Sequence, residues 1–477
     1  MSTRNLRGGL TLGSLTAAVA LLGGLSNASA QSAPGAGSFP QSFLIPGTNT
    51  SLAIYGTVKL SASTNWGSQH VTDTSPSGIG NTPFAINGLA LGGPGAPGGN
   101  SVNNQEHALH GGLRGQVKST QIFFETRTPS DLGEIKTVVM MDFGTFGLQA
   151  NYVGRTTSTN SPSSGAGNNE MPRLQFAYGT LGPWLFGQYN SAWTDPLQIN
   201  PDIGDQAQIG PLQTRNIRRP QIRYTYLAGG GLSLSASLET NTYTNLTGNN
   251  NTTTAPIAED STDTGGITNY PSFNAGVAWD QPWGHLMARG GVAVDEIRST
   301  TGATAVQGST SLNKKKLAWA VEGGVMINTF GKDQWRALIV YAQGADTYLT
   351  DMGAMGLLNT ATGTLDLFKE LALNTSYIHR FSPNWRATAQ FGIGFFNKPS
   401  NAPTLGGNAL NVATGTTGAG LAGLEKRHLQ SALSVTYSPV PGKIDIGIEW
   451  DHWERVVQAS NTSGNGNRYG AHVFFYW

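Results

Sequence analysis

The sequence predicts an all-β fold, a transmembrane antiparallel β-barrel of 16 strands. Three observations support this prediction. Only 12% of the residues are charged, against about 25% in a typical soluble domain, and 64 of the 477 residues are glycine. Segments with strictly alternating apolar and polar residues recur along the chain. Between them, short breaks of turn-forming residues alternate with long stretches rich in Gly, Ser, Thr and Asn. Together these features are typical of β-barrel proteins of the bacterial outer membrane.

The composition also excludes several classes of protein. The mean hydropathy is −0.22, and only the N-terminus carries an apolar run near the ~20 residues that a spanning helix needs. The chain has no cysteine, which excludes disulfide scaffolds, thiolate metal sites and cysteine nucleophiles. A net charge of +1 gives no reason to expect a nucleic-acid partner.

Residues 1–30 read as a secretory signal peptide. Arg4 and Arg7 precede an apolar run over residues 10–25, and the small-residue motif Ala28-Ser29-Ala30 then predicts cleavage before Gln31. The alternative is an N-terminal membrane anchor, which the cleavage motif disfavours. Loss of the two Arg leaves a net charge of −1, from 27 basic and 28 acidic residues. We expect a periplasmic lead-in over residues 31–50 and a barrel domain over residues 51–477.

Strand-like alternation is clearest in five segments. From Leu52, the even-numbered residues are mostly large and apolar, and the odd-numbered ones are mostly small or polar. Similar patterns begin near Leu232, Leu317, Trp385 and Ile444. A charge on a lipid-facing position costs about 2–4 kcal/mol at the bilayer midplane, and the charges lie repeatedly on the other face. A soluble β-sandwich alternates too, but many strands of this length with aromatic ends favour a membrane barrel.

The connections predict the topology. Seven short turns alternate with eight long loops, which gives 16 strands with both termini on the short-turn, periplasmic side. A barrel of this size is wide enough for an aqueous channel. The short turns fall at residues 128–132, 181–183, 228–231, 280–283, 330–333, 381–384 and 438–442. The long outer loops fall at about residues 65–115, 145–170, 192–215, 242–270, 298–314, 346–365, 397–425 and 456–466.

The last predicted strand ends on an aromatic residue. Tyr469, Val473, Phe475 and Trp477 share one face with Ala471. Outer-membrane porins usually end in such a strand, and the barrel-assembly machinery recognises its terminal aromatic residue. We therefore expect that machinery to be a partner through Trp477. The alternative is an ordinary edge strand at a soluble C-terminus.

Three stretches resemble the DcaP-like family of trimeric outer-membrane porins. They are residues 42–60 (SFLIPGTNTSLAIYGTVKL), residues 124–143 (FETRTPSDLGEIKTVVMMDF) and residues 174–225, which include FAYGTLGPWLFGQYNSAWTD and RRPQIRYT. The resemblance implies a homotrimer and uptake of small anions, including dicarboxylates. In porins of 16 strands the third loop folds inward and forms the constriction, and here that loop covers about residues 192–216.

A cluster of charges surrounds the predicted constriction. The alternation places Arg219 and Arg223 on the lumen side, with Ile222 and Tyr224 facing outward. Guanidinium groups pair bidentately with carboxylates, and rings of charged side chains set pore selectivity, so the cluster favours small organic anions. Its arginines are Arg215, Arg218, Arg219 and Arg223, and the loop adds Asp195, Asp202 and Asp205. Further basic residues expected in the lumen are Lys59, Arg127, Lys136, Arg173, Arg289 and Arg386.

Two alternatives limit this interpretation. The lumen arginines could simply neutralise lumen acids such as Glu125, Glu134, Glu239 and Glu449, and the three loop Asp could cancel the field of the cluster. The pore would then be a nonselective general diffusion channel. A structural or adhesive barrel with a blocked lumen is the alternative from another class.

No enzyme, metal site or cofactor is predicted. His107 and His110 are the candidate metal ligands, but they lie three residues apart in a Gly-rich loop. An outer-membrane lipase would need a Ser–His pair. Ser376 and His379 are near each other in sequence, but a separation of three residues puts them on opposite faces of a strand. The expected partners are small solutes, outer-membrane lipid and further copies of the chain.

Overall fold

The computed structural model describes residues 35–67, 114–117, 120–145, 171–194, 218–240, 270–299, 312–344, 356–359, 364–367, 369–397, 409–411, 416–417, 425–457 and 463–477. Across these ranges, no helix is long and apolar enough to cross a membrane. The predicted signal peptide and most of the long outer loops lie outside the described residues.

Sixteen antiparallel strands form one closed barrel, as the sequence predicted. Each strand pairs with its neighbour along the chain, and the last pairs with the first from Thr57 opposite Tyr476 to Gly67 opposite Gly466. The strands are β1 (Ser51–Gly67), β2 (Gln121–Ser130), β3 (Gly133–Thr145), β4 (Met171–Leu181), β5 (Trp184–Asn190), β6 (Arg218–Gly229), β7 (Leu232–Glu239), β8 (Ser272–Gln281), β9 (Gly284–Ser299), β10 (Leu312–Asn328), β11 (Gln334–Gln343), β12 (Lys369–Arg380), β13 (Trp385–Asn397), β14 (Glu425–Val440), β15 (Ile444–Val457) and β16 (Ser463–Tyr476).

The seven predicted short turns connect consecutive strands at one end of the barrel. Gly231 shows why glycine is needed there. Its φ is +81°, and a Cβ at this position would lie 1.9 Å from the carbonyl oxygen of Asp280. That close approach allows the Asp280 N–H to donate to the Gly231 carbonyl at 2.9 Å and so joins two adjacent turns.

The wall has a polar inner face and an apolar outer face. In β14, Gln430, Ser434 and Thr436 are buried on the lumen side, whereas Leu433 and Val435 between them are exposed. The alternation follows from the two-residue period of a strand, and exposed apolar side chains around a barrel form the surface that contacts lipid.

Aromatic side chains border the apolar band, as expected at a membrane interface. At the short-turn end, ring centres are 4.9 Å apart for Trp184 and Tyr224 and 4.7 Å apart for Trp385 and Tyr437. Towards the long-loop end, the ring centres of Trp319 and Tyr341 on the outer face are 5.5 Å apart.

The C-terminus completes the closure of the barrel. Trp477 and Gly56 exchange two backbone hydrogen bonds of 3.1 Å, which extend the pairing of β16 with β1 by one residue. The Trp477 ring lies over Gly56, where a Cβ would be 3.0 Å from the ring. Below this point a two-residue strand, Phe43–Leu44, pairs with β1 and covers its edge.

The described parts of the long loops include a feature that the sequence did not predict. Four short strands, which belong to the two loops after β11 and β13, form a second antiparallel sheet separate from the sheet of the barrel. Short strands of two to four residues are too brief for an alternation to be recognised. These strands are Gly356–Asn359, Thr364–Leu367, Ala409–Asn411 and Thr416–Thr417.

Candidate functional site

The lumen wall of β2 and β3 carries an ion-pair network around Glu125. Arg127 approaches the Glu125 carboxylate to 2.8 Å and Lys136 approaches it to 3.1 Å. The Tyr55 hydroxyl donates to the same carboxylate at 3.1 Å, and Arg127 also lies 3.6 Å from Glu134. The alternation of β1, β2 and β3 places all of these side chains on one face, and Arg127 and Lys136 are opposite each other in the register.

A second ion pair joins β3 to β4. Arg173 donates from Nε and Nη2 to the two carboxylate oxygens of Asp142, at 2.9 and 2.7 Å, which is the bidentate arrangement. Gln175 adds a third donor at 2.7 Å. On β13 and β15, Arg386 donates to Asp445 at 2.8 Å. These arginines do neutralise lumen acids, which is the alternative that the sequence left open for them.

In the pairs of β2 to β4, the acid is buried and the base is partly or fully exposed. The side chain of Glu125 is 8% exposed, while those of Arg127 and Lys136 are 32% and 29% exposed. Asp142 is 8% exposed and its partner Arg173 is 43% exposed. The exception is Glu134 beside the short turn, at 51%. Because the carboxylates lie against the wall, the groups that meet water on this part of the lumen are mainly cationic.

Arg219 and Arg223 both occupy lumen-facing positions of β6, but their environments differ. Arg219 is only 4% exposed and donates to the Ser272 hydroxyl at 3.4 Å. Arg223 is partly exposed and donates to the Gln221 side-chain oxygen at 2.9 Å and to the Asn190 carbonyl. Both acceptors of Arg223 are neutral, and no carboxylate of the described residues forms a salt bridge with it.

Of the other members of the predicted cluster, the structure describes only Arg218. The guanidinium of Arg218 lies 5.8 Å from the ring centre of Phe176. Arg215, Asp195, Asp202 and Asp205 lie outside the described residues, as does the rest of the predicted constriction loop.

The first residues of the third long loop turn into the barrel. Directly after β5, residues 191–194 are buried, and Trp193 is fully buried. The Ala192 N–H donates to Glu239 on β7 at 2.7 Å, and Arg289 on β9 donates to the Ala192 carbonyl at 2.8 Å. Both partners are lumen-facing side chains, so this stem lies on the inner side of the wall. Sequence reasoning placed Glu239 and Arg289 in the lumen but missed their role in holding the stem.

Aromatic side chains also occupy the lumen side of this wall, which the sequence reasoning did not use. Tyr55 and Phe123 stack with ring centres 5.0 Å apart and planes 6° apart. Tyr189 packs on Phe176 and Tyr178, at 5.0 and 4.6 Å. Aromatic residues at inward positions of the alternation were the signal that could have found them.

Comparison with known proteins gives the family. A family described as a porin subfamily matches residues 39–472. The chain belongs to this porin subfamily. It is therefore an integral β-barrel channel of the outer membrane, and the resemblance to DcaP-like porins is confirmed.

The chain is similar to several solved structures. The outer-membrane channel DcaP of Acinetobacter baumannii is 18% identical, covers 91% of this chain and 99% of its own, and has a TM-score of 0.61. OprB of Pseudomonas putida is 11% identical, with 89% and 94% covered and a TM-score of 0.48. A loop-deletion mutant of OmpT from Vibrio cholerae is 11% identical, with 90% and 99% covered and a TM-score of 0.47. No match was found among curated protein sequences.

Proposed function

We propose that this porin is a passive channel that prefers small organic anions such as dicarboxylates. The observation that carries the proposal is the arrangement of charge on β2 to β6. The wall-side position of Glu125 and Asp142 leaves Arg127, Lys136 and Arg173 as the groups that a solute meets first. Arg223 adds a guanidinium whose hydrogen-bond acceptors are neutral. Guanidinium and ammonium groups select carboxylates by charge and hydrogen bonding.

The third long loop completes the proposed filter. A stem held by Glu239 and Arg289 would direct the loop inward on the side of the barrel that carries Arg223. The loop would then narrow the pore next to the basic wall. At physiological salt the Debye length is about 8 Å, so charges near the narrowest point affect a passing solute more than distant ones. Asp195, Asp202 and Asp205 of the loop remain the groups that could oppose this field.

Two further parts of the proposal concern assembly. The exposed aromatic face at Trp184 and Phe186 supports a homotrimer. The terminal Trp477, which is exposed and paired with Gly56, supports recognition by the barrel-assembly machinery. The first 30 residues would then be removed during export as a signal peptide.

Reversal potentials in a KCl gradient across a planar bilayer test the anion preference. We expect the unmodified porin to prefer chloride. One charge at about 6 Å in water contributes about 0.7 kcal/mol, favourable for the anion and unfavourable for the cation. Screening with a Debye length of about 8 Å roughly halves both contributions, so Arg223→Gln should lower the ratio of anion to cation permeability about three-fold. The matched control is Arg336→Gln, which removes a lumen charge from β11 on another part of the wall. Cation preference in the unmodified porin would refute the proposal. Equal permeability to the anion and the cation would also refute it and would indicate a nonselective diffusion pore.

A further inference from the structure

Five aromatic side chains line the lumen side of β1 to β5. Aromatic rings are unexpected there, because the interior of a water-filled barrel is usually polar. All five side chains are only partly buried, so part of each is accessible from the lumen. They fall in two groups, one on the paired strands β1 and β2 and one on the paired strands β4 and β5, and β3 lies between the two groups. The five residues are Tyr55, Phe123, Phe176, Tyr178 and Tyr189.

The rings have the geometry of aromatic packing. Tyr55 and Phe123 are stacked at 5.0 Å and lie almost parallel. Tyr178 and Tyr189 are 4.6 Å apart with planes tilted by 53°. Both arrangements lie within the range that aromatic pairs prefer, so the rings are held by one another. Held rings offer a surface to a planar solute with little further loss of side-chain entropy.

Each group of rings lies beside a cation. The Arg223 guanidinium is 5.5 Å from the ring centre of Tyr189. Tyr55 donates to Glu125, which also binds the partly exposed Arg127 and Lys136. A solute that carries a flat ring and a carboxylate could therefore contact a ring and a cation at the same time.

We propose that this wall binds aromatic carboxylates in transit, with the solute ring on Tyr178 and Tyr189 and its carboxylate on Arg223. The proposal rests on the anion-selective channel proposed above and names a solute class for it. The binding is weak, because a channel site must release its solute to conduct.

The test compares benzoate with cyclohexanecarboxylate, which has the same charge and a similar size but no π face. Each acid is added to the porin in a planar bilayer, and its residence time is measured from the blocking of the KCl current. Because an aromatic pair adds binding energy beyond that of the buried area, we expect the residence time of benzoate to be about two- to ten-fold longer than that of cyclohexanecarboxylate. The double variant Tyr178→Leu plus Tyr189→Leu should bring the ratio of the two times close to one.

The matched control is Tyr341→Leu, which removes an aromatic ring from the outer face of β11. It should leave the ratio unchanged. Equal residence times in the unmodified porin would overturn the inference, and that measurement needs no variant. A ratio that persists in the double variant would overturn it too. Failure of this inference can be distinguished from failure of the proposed anion channel by the reversal potential of the unmodified porin in a KCl gradient. That potential depends on the charges of the pore and not on the aromatic rings.

Discussion

At the scale of single residues, Asp333 organises the turn before β11. Its carboxylate accepts hydrogen bonds from the Arg380 backbone N–H at 2.8 Å, from His379 Nδ1 at 2.6 Å and from the Tyr377 hydroxyl at 3.0 Å. These donors, with the Arg380 N–H first, lower the pKa of Asp333 below its ordinary range. The turn is thereby tied to the end of β12.

This depressed pKa predicts an acid-sensitive contribution to stability. Because the folded pKa lies below the unfolded value of about 3.9, the contribution is present above that value and is lost as the pH falls through the folded pKa. Asp333→Asn should lower the urea midpoint of unfolding in detergent at pH 7 and reduce its decline between about pH 5 and pH 2. Asp131→Asn, in another turn, is the control, and a midpoint at pH 7 equal to that of the unmodified porin would contradict the prediction.

Residue orientation could be predicted from the sequence, but residue pairing could not. The two-residue period placed Arg173 and Arg223 in the lumen and Ile222 outside it. Whether an arginine meets an acid depends on the register between strands. Arg173 reaches Asp142 across 31 residues of chain, whereas Arg223 meets only neutral acceptors. The burial of Glu125 behind its two cations likewise depends on how three strands meet.

At the scale of elements, the loop stem after β5 gives a direct test of the constriction. Glu239→Ala leaves the buried Ala192 N–H without its acceptor, which costs about 1–3 kcal/mol. If the stem holds the third loop inside the pore, this variant should show a higher and noisier single-channel conductance. Glu449→Ala, a lumen acid of β15, is the control. A conductance unchanged from the unmodified porin would show that the stem does not set the pore width.

The elements themselves were largely predictable. All seven short turns occur where clusters of Pro, Gly, Asn and Asp predicted them, because those residues supply the backbone angles that tight turns require. The small sheet of the long loops was missed, since its pairing joins two loops that are distant in sequence. An inward third loop was expected from the pattern of 16-strand porins and from the loop's length and its mix of Asp and Arg, whereas the contacts that hold residues 191–194 were not predicted.

At the scale of the whole molecule, the proposed subunit interface is a patch on the apolar outer surface. On β5 and β6, Trp184 packs on Phe186 with ring centres 6.1 Å apart and on Tyr224 at 4.9 Å. All three rings are exposed in the single chain. Exposed apolar patches of this kind mark interaction sites, although lipid could cover them as well as another subunit.

The trimer prediction separates these two occupants. If the patch is a subunit interface, Trp184→Ala plus Phe186→Ala should convert detergent-extracted trimers to monomers on native mass analysis, while the barrel keeps its heat-modifiable migration on gels. If lipid covers the patch, the variant should assemble like the unmodified porin. Leu433→Ala plus Val435→Ala on β14, roughly across the barrel, removes comparable apolar side chains and should leave the trimer intact. A monomer in the unmodified porin would end the trimer proposal. Loss of the trimer in the β14 variant alone would instead place the interface on that side of the barrel.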